Sequence, residues 1–418
     1  MADNVANPQS LDPITAHNLR VMMIDCVFWS AMFGLGESYF QPFGVALQFS
    51  PLAIGLLATL PPLLGAAIQL LAPTGVRAVG SLRRWVVICV AMQALSFLPL
   101  VIGAMRGHLS AMLLFAALTL YFAAALSSAP AWTTWVGTLV PARMRVRYFA
   151  RRSRLIQIAM FLSFLAAGYA LEFGKRGGHE MLVFVALFGA AGLARGISAC
   201  LIASQSEAQM RDQVERSISW PGFLAELRRL PAIRFLLFAV ITQFVVQVAH
   251  PFITPYFLQS RQLSYDHYVI AMSAIFVAKI VALAPLGSLA NRLGAGRIMV
   301  GGVAVMMPIP LLLLHDGGVI YFFAVQLAHG AGWAAFELGN LLLMFERIPE
   351  TVRTTMLTKY NLLVYLAMLL GSSIGGAILR FASESETDFS LAFAASTAMR
   401  LAALVLAAKL VRVAANTR

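Results

Sequence analysis

Charged residues are scarce in this chain of 418 residues. Asp, Glu, Lys and Arg make up 12% of it, hydrophobic residues make up 60%, and the mean hydropathy is +0.80. Soluble domains carry about 25% charged residues, so this sequence has too little polar surface to cover a water-soluble protein of its size. The composition excludes an ordinary soluble protein and predicts that most of the chain lies in lipid.

Acidic residues are the scarcer sign, with 18 against 31 basic residues and a net charge of +13. The most basic stretch is VPARMRVRYFARRSR, residues 140–154, with six arginines. An excess of positive charge suits either nucleic acid or an anionic membrane surface. No nucleic-acid reader motif surrounds the stretch, so we expect a loop that touches lipid headgroups and no nucleic-acid partner.

Motifs for catalysis and cofactor binding are missing as well. The three cysteines, Cys26, Cys89 and Cys200, lie in apolar runs, where disulfides are not expected. No phosphate-binding loop supports direct use of ATP, and no nucleophile–base or metal-ligand pattern is visible. We therefore expect no enzyme, cofactor or metal site. The polar first residues lack the pattern of a signal peptide, so we expect the first apolar run to be retained.

Long hydrophobic runs dominate the sequence. A helix needs about 20 apolar residues to cross a bilayer, and no alternating β-barrel pattern competes. The chain contains twelve candidate spans: 21–47, 50–72, 85–104, 109–131, 154–173, 181–204, 232–258, 267–289, 298–314, 319–345, 356–380 and 389–411. The predicted fold class is an all-α membrane protein with twelve transmembrane helices.

Basic residues fall mainly on one side of these spans. Of the 31, the side that holds both termini has 23, the other side has 5, and three lie within spans. Because basic loops stay in the cytoplasm, we expect both termini to be cytoplasmic in a cell membrane, the inner membrane if the source is bacterial.

The longest internal polar segment divides the chain into two halves of six spans. The predicted organisation is a cytoplasmic tail (1–18), a six-helix bundle (19–204), a cytoplasmic linker (205–231), a second six-helix bundle (232–411) and a tail (412–418). Within the linker, WPGFLAELRRL places four apolar residues on one side of a short helix, which indicates a segment lying on the membrane surface. These residues are Phe223, Leu224, Leu227 and Leu230.

The two halves resemble each other in sequence. Span 1 ends ESYFQPF and span 7 ends HPFITPY, and aligning Pro42 with Pro255 places Glu37 opposite His250. The steps between aligned polar positions keep them on one helix face. The other aligned pairs are Ser30 with Gln243, Gly34 with Gln247, Gln41 with Thr254, Tyr121 with His329 and Trp132 with Asn340. Together they indicate a duplicated six-helix unit.

Over nearly its whole length the chain resembles the major facilitator superfamily. The most specific stretch is GSLANRLGAGR, residues 287–297 in the 8–9 loop, which is similar to the family's signature G-x-L-a-D-R-x-G-x-[RK]. Asn291 stands where the family has aspartate. The 2–3 loop has no aspartate, and the Gly-Pro signature that drug antiporters carry in span 5 is absent.

The resemblance implies an alternating-access carrier, in which two bundles rock around a central site lined by spans 1, 4, 7 and 10 with help from spans 2, 5, 8 and 11. It also implies that Arg292 and Arg297 form a gating loop by contacting the ends of neighbouring helices, whose C-termini are negative.

Four ionisable residues lie deep within spans that the resemblance sends to this site. They are Glu37, His250, Lys279 and Glu337. An ionisable group at mid-membrane costs about 2.5–3.5 kcal/mol on insertion scales and seldom faces lipid. An apolar surrounding favours the neutral form of a carboxylate, so we expect Glu37 to carry a proton. We expect Glu337 to bind substrate together with Lys279; a purely structural ion pair is the alternative.

Softer polar residues surround these groups as stripes on spans 4, 7 and 10. The candidate substrate-binding residues are Tyr121, Gln243, Gln247, His250, Lys279, His329, Trp333, Glu337 and Asn340. Packing between helices is the alternative for such stripes. We expect Trp132 and Trp135 to lie at the membrane interface, Asp25 to reach that interface in a structural role, and Pro61-Pro62 to kink span 2. The sequence assigns no role to Arg195 or Arg400.

These observations predict a monomeric secondary transporter for a small polar or charged organic solute, coupled to protons. Efflux of amphiphilic compounds is a second hypothesis. A membrane receptor or scaffold that does not transport is a third.

Overall fold

The computed structural model of the chain describes residues 12–140, 145–206, 221–223, 225, 233–348, 350–381 and 389–415. These residues form helices and connecting turns, with no strand among them. They make twelve helical spans, as the hydrophobic runs predict.

Six spans make up the first half, and spans 1, 2 and 3 are broken. Span 1 is Pro13–Leu35, the 3₁₀ turn Glu37–Tyr39 and Phe40–Ala46; span 2 is Pro51–Leu57 and Leu60–Gln69, followed by Ala72–Val79; span 3 is Leu82–Leu95 and Leu98–Arg106; span 4 is Ala111–Leu139; span 5 is Arg145–Arg176; span 6 is Glu180–Ala203.

The second half repeats the pattern, with breaks in spans 7 and 9. Span 7 is Ile233–Gln247, the 3₁₀ turn His250–Phe252, Ile253–Pro255 and the π-turn Tyr256–Ser260; span 8 is Tyr265–Leu293; span 9 is Ala295–Met306 and Ile309–Leu314; span 10 is Val319–Arg347; span 11 is Glu350–Phe381; span 12 is Ser390–Ala415.

Length and apolar composition qualify these helices as membrane spans. Eleven of them are long and apolar enough to cross a bilayer, and the described part of span 12 contains a shorter apolar helix, Ser390–Val405. The twelve-helix, all-α membrane fold predicted from the sequence is therefore confirmed.

Local sequence sets several helix boundaries. Ser50, Ser81 and Ser110 each accept a hydrogen bond from the backbone N–H three residues later and so cap spans 2, 3 and 4. Span 2 is interrupted just before Pro61-Pro62, which lie in the first turn of its second segment, because a proline ring disrupts the preceding helical turn. The predicted kink is present.

Two expectations about individual side chains, Asp25 and Trp135, fail. Asp25 does not reach the interface, because its side chain is buried against span 6. Trp135 is 1% exposed within a cluster that includes Leu19, Met22 and Val86, so it does not form an interfacial belt. Cys200 is exposed, although all three cysteines are free as expected.

Most of the linker lies outside the described residues, including the predicted apolar positions Leu224, Leu227 and Leu230. Phe223 is described and is buried against Leu236, Met356 and Tyr360 of the second half. The Lys359 ammonium lies 5.7 Å from the Phe223 ring centroid. This part of the linker packs onto protein.

Contacts between the halves gather at one end of the molecule. We call the end where span 1 begins and span 12 ends the terminal face, and the other end the opposite face. Near the opposite face the Gln41 amide donates to the Pro251 carbonyl at 2.8 Å, and the Tyr265 N–H donates to Glu172 at 2.7 Å. Ser372 also donates to the carbonyl of Gly55. These bonds hold the halves together at the opposite face.

Candidate functional site

The centre of the molecule is built around the breaks in spans 1 and 7. Glu37 begins a 3₁₀ turn after Gly36, and His250 begins a 3₁₀ turn after Ala249. These are the two positions that the sequence repeat aligns. A broken helix leaves backbone groups without helical partners, so in a membrane such breaks are tolerated only where protein or a cavity surrounds them.

Glu37 has a partner on span 4. The Tyr121 hydroxyl, which is 1% exposed, donates to Glu37 Oε2 at 2.5 Å and lies 3.1 Å from Met32 Sδ. A Cβ at Gly36 would lie 2.6 Å from Cε1 of Phe97, so the close packing here requires glycine. Among the described residues no cation forms a salt bridge with Glu37, and a hydroxyl donor accommodates the carboxyl group in either protonation state.

The matching site in the second half contains two histidines and a tryptophan. The His250 and His329 ring centroids are 5.5 Å apart, and Trp333 stacks on His250 at 6.3 Å. Nδ1 of His329 lies 3.1 Å from Gln326 Oε1, and the Gln326 amide nitrogen contacts Met272 Sδ. The Gln326 oxygen is then the acceptor, so His329 carries its proton on Nδ1 and leaves Nε2 as an acceptor.

Lys279 and Glu337 contact each other across spans 8 and 10. The ammonium lies 3.0 Å from Glu337 Oε2 and 3.1 Å from Oε1, and the two side chains are 23% and 50% exposed. Solvent-accessible ion pairs stabilise a fold by about 0–1 kcal/mol. Both groups are therefore open to a polar solute at little cost in stability.

Three amides of the predicted stripes have unpaired oxygens. Gln243 Oε1, Gln247 Oε1 and Asn340 Oδ1 are buried without a hydrogen-bond partner among the described residues, and so is His329 Nε2. Buried acceptors normally find a donor. Spans 7 and 10 thus hold acceptors that a solute rich in O–H or N–H groups is able to satisfy.

Of the two arginines predicted to form a gating loop at 287–297, Arg297 contacts a helix end. Arg297 Nη1 donates to the Leu293 carbonyl at 3.4 Å, which is the last residue of span 8. Arg292 is exposed in the last turn of the same helix. The contact of Arg297 is with the end of a neighbouring helix in its own half, on the terminal face; the side chain of Asn291 lies outside the described residues.

Sequence reasoning missed a polar cluster buried in the first half. Arg195 of span 6 donates to Gln93 of span 3 at 2.6 Å and to Ser198 at 2.9 Å, and Ser198 donates to Asp25 of span 1 at 2.6 Å. All four side chains are at most 5% exposed. The central position of Arg195 within an apolar span was the available signal.

Arg400 of span 12 is anchored differently. Nη1 donates to the Met306 carbonyl at 2.7 Å and Nη2 donates to the Val246 carbonyl at 3.2 Å. Met306 ends the first segment of span 9, and Val246 lies at the end of the first segment of span 7. Helix C-termini carry partial negative charge, so Arg400 caps two broken helices at once.

No protein-family model matches the chain, and no curated protein matches its sequence. Solved structures do match in shape. A point mutant of the nucleoside transporter NupG has a TM-score of 0.70 at 13% identity over 95% of this chain and 99% of its own. A D-xylose-proton symporter has a TM-score of 0.70 at 13% identity, covering 94% of this chain and 96% of its own.

A peptide transporter, POT in complex with sulfate, has a TM-score of 0.70 at 14% identity over 97% of this chain and 99% of its own. At these identities the likeness establishes shape alone. The chain has the fold of these transporters, the major facilitator fold that the sequence resembles.

Proposed function

We propose that this protein is an alternating-access secondary transporter that moves a small polar or charged organic solute together with protons. The observation that carries the proposal is the arrangement at the two breaks. In span 1 a carboxyl group, Glu37, is hydrogen-bonded by Tyr121 alone among its described side-chain neighbours. Near span 7 an accessible ion pair, Lys279–Glu337, joins spans 8 and 10, and spans 7 and 10 carry unpaired acceptors.

The different contacts of Glu37 and Glu337 support different roles for the two side chains. Glu37 has no ion-pair partner among the described residues, so gaining or losing a proton there breaks no salt bridge. Glu337 is paired with the Lys279 ammonium, which lies 3.0 Å from Oε2 and 3.1 Å from Oε1. We assign proton binding to Glu37 and substrate binding to Glu337 with Lys279, supported by the other acceptors of spans 7 and 10.

The similar structures suggest classes of solute to test. They are structures of a nucleoside transporter, a D-xylose-proton symporter and a peptide transporter. Nucleosides, pentoses and short peptides are all rich in hydrogen-bond donors, which suits the unpaired oxygens of Gln243, Gln247 and Asn340. These three classes are the first solutes to test.

The experiment uses the full chain reconstituted in proteoliposomes. Thermal-shift screening first selects a solute from the three classes, and radiolabelled solute then measures exchange without a gradient and accumulation driven by a pH gradient. We expect Glu37→Gln to abolish gradient-driven accumulation and keep exchange, whereas Glu337→Gln weakens both. The matched control is Asp316→Asn, whose side chain is 94% exposed on a loop at the opposite face.

Two results contradict the proposal. Full gradient-driven accumulation by Glu37→Gln removes the proton role from Glu37. Failure of the wild type to exchange any solute that stabilises it favours a receptor or scaffold, and export of amphiphilic compounds in the same vesicles favours the efflux hypothesis.

We also propose that the terminal face is cytoplasmic, because 23 basic residues lie on that side against 5 on the other. A cysteine placed at Asp316 in a cysteine-free chain is then labelled by an impermeant maleimide on intact cells, and one placed at Arg292 is labelled only after permeabilisation. The reverse pattern contradicts the proposed orientation.

A further inference from the structure

Arg195 connects two buried carboxyl groups of the first half. On one side its guanidinium Nη1 donates a hydrogen bond to Ser198 Oγ at 2.9 Å, and the Ser198 hydroxyl donates one to Asp25 Oδ1 at 2.6 Å. On the other side Nε donates to Gln93 Oε1 at 2.6 Å. Arg195 is 5% exposed and Asp25 is 3% exposed, so water screens this cluster little.

The second branch leads to Glu37. Gln93, which accepts from Arg195, also lies beside the Tyr121 side chain. Tyr121 donates to Glu37 Oε2 at 2.5 Å. Gln93 and Tyr121 therefore stand between Arg195 and Glu37, and polar groups in a medium of low dielectric are polarised by a nearby cation.

One guanidinium therefore serves two carboxyl groups. Asp25 and Glu37 are twelve residues apart, about 18 Å along a helix at 1.5 Å per residue. Ser198 joins Arg195 to Asp25, while Gln93 and Tyr121 lie between Arg195 and Glu37. In a medium of low dielectric a single cation cannot compensate two carboxylates fully. Sites coupled in this way do not titrate independently of each other.

Other ionisable groups face the two carboxyl groups from neighbouring helices. Around Asp25 these are Arg152 and Tyr148 of span 5 and the adjacent Cys26. Arg152 interacts with Asp25 less than Arg195 does, and its guanidinium lies 4.5 Å from the Trp132 ring centroid. Around Glu37 the additional group is Tyr365 of span 11. None of these groups is among the side chains that lie between Arg195 and the two carboxyl groups, which are Ser198, Gln93 and Tyr121.

We propose that Asp25 is a second proton-binding carboxyl group of the transport cycle, coupled to Glu37 through their shared counter-ion Arg195, which acts as a positioning residue. The inference rests on the proposed function for its role in transport. The coupling itself is a property of the cluster and exists whether or not a solute is moved. A proton bound at Asp25 leaves more of the Arg195 charge to stabilise ionised Glu37, and the reverse holds for a proton bound at Glu37.

The test measures protonation of Glu37 directly. Dicyclohexylcarbodiimide reacts with protonated carboxyl groups in apolar sites, and fragmentation of the modified peptide by mass spectrometry separates Glu37 from Asp25. The purified full-length protein in vesicles is labelled across a range of pH, without solute or gradient. The midpoint pH of Glu37 labelling is then independent of whether transport occurs.

Removing Asp25 and removing Arg195 are expected to shift the midpoint pH of Glu37 labelling in opposite directions. Asp25→Asn removes a negative charge, so the Glu37 midpoint moves to lower pH by about one unit; Arg195→Gln removes the cation, so it moves to higher pH by about one unit. Ser198→Ala keeps both charges and shifts the midpoint less. Asp316→Asn, on a distant exposed loop, leaves it unchanged.

If Asp25→Asn and Arg195→Gln act only by loosening the structure, both shift the Glu37 midpoint in the same direction or leave it unchanged. Either result overturns the proposal. If Arg195→Gln does not fold, the double variant Asp25→Asn/Arg195→Gln removes both charges, and its midpoint is expected close to the wild-type value. Arg195→Lys should keep most of the wild-type midpoint. A shift in Glu37 labelling without proton-driven transport retains the coupling and rejects only the proposed function.

Discussion

The two halves of the molecule share a scaffold but differ in what they bury. Spans 1 and 7 break at aligned positions, and spans 3 and 9 also break, at Ser96–Phe97 and at Met307–Pro308. In each half an arginine of the last span reaches a broken helix. Arg195 does so through side chains that end at carboxyl groups, whereas Arg400 binds main-chain carbonyls.

This difference separates two ways of keeping a cation in an apolar interior. Arg195 is compensated by Asp25, a group that is able to gain or lose a proton. Arg400 is compensated by the fixed dipoles of two helix ends, which do not titrate. The duplicated unit thus keeps its broken helices in both halves, and among the described residues Arg195 is linked to a carboxyl group, whereas Arg400 contacts main-chain carbonyls.

The ionisable groups near the central breaks also differ between the two halves. The first half presents one carboxyl group, Glu37, with a hydroxyl donor. The second half presents the ion pair Lys279–Glu337 together with His250 and His329. In the proposed function the proton site and the solute site lie on different halves, so movement of the halves relative to each other, as in alternating access, would couple them.

The largest expected effect comes from removing each arginine in turn. Arg195→Met leaves the buried Asp25 without the cation that Ser198 bridges to it, and leaving a buried charge uncompensated costs about 3–5 kcal/mol. Arg400→Met frees two carbonyls, at about 1–3 kcal/mol each, but it also removes a buried guanidinium whose Nε has no partner among the described residues, which offsets part of that cost. Unfolding in detergent should therefore show the greater loss for Arg195→Met.

The control for this comparison is the double variant Asp25→Asn/Arg195→Met. It removes both charges and should recover most of the stability that Arg195→Met loses. Equal losses for Arg195→Met and Arg400→Met, or no recovery in the double variant, would show that Asp25 does not compensate Arg195.

The sequence predicts the spans well because their signals are local. Apolar runs mark the helices, and Pro61-Pro62 marks the kink in span 2. The repeat pairs Glu37 with His250 by aligning Pro42 with Pro255, and in the structure each begins a 3₁₀ turn, but breaks at these positions are not predicted from the sequence. The kink in span 2 is predictable because it follows from prolines next to it in the chain.

The buried cluster could not be predicted in this way. Asp25, Gln93 and Arg195 lie on spans 1, 3 and 6, and each belongs to a helix with little amphipathic pattern to show which side faces protein. The expectation that Asp25 reaches the interface failed because span 1 begins at Pro13 and not at residue 21. Asp25 therefore lies well inside the helix, where its side chain faces either the apolar surroundings or a neighbouring helix. Only the packing of span 1 against span 6 decides between them.

The smallest expected effect concerns the opposite face, where the aligned residues Gln41 and Thr254 meet. The Gln41 amide donates to the carbonyls of Pro251 at 2.8 Å and Ile54 at 3.1 Å, and its oxygen accepts from Thr254 at 3.2 Å. Thr254 also lies 3.3 Å from the Tyr268 hydroxyl of its own half. Gln41 thus holds two bonds across the halves, whereas Thr254 holds one.

Each such bond contributes about 0.5–1.5 kcal/mol, so Gln41→Ala should shift the population toward opening at this face several-fold, and the nearly isosteric Thr254→Val should shift it less. Spin labels at His108 and Asp316, on loops of the two halves at the opposite face, report the change as a longer distance by double electron–electron resonance. If both variants keep the wild-type distance distribution, apolar packing such as Phe164 against Phe276, with ring centroids 5.5 Å apart, holds this face closed and the polar contact does not.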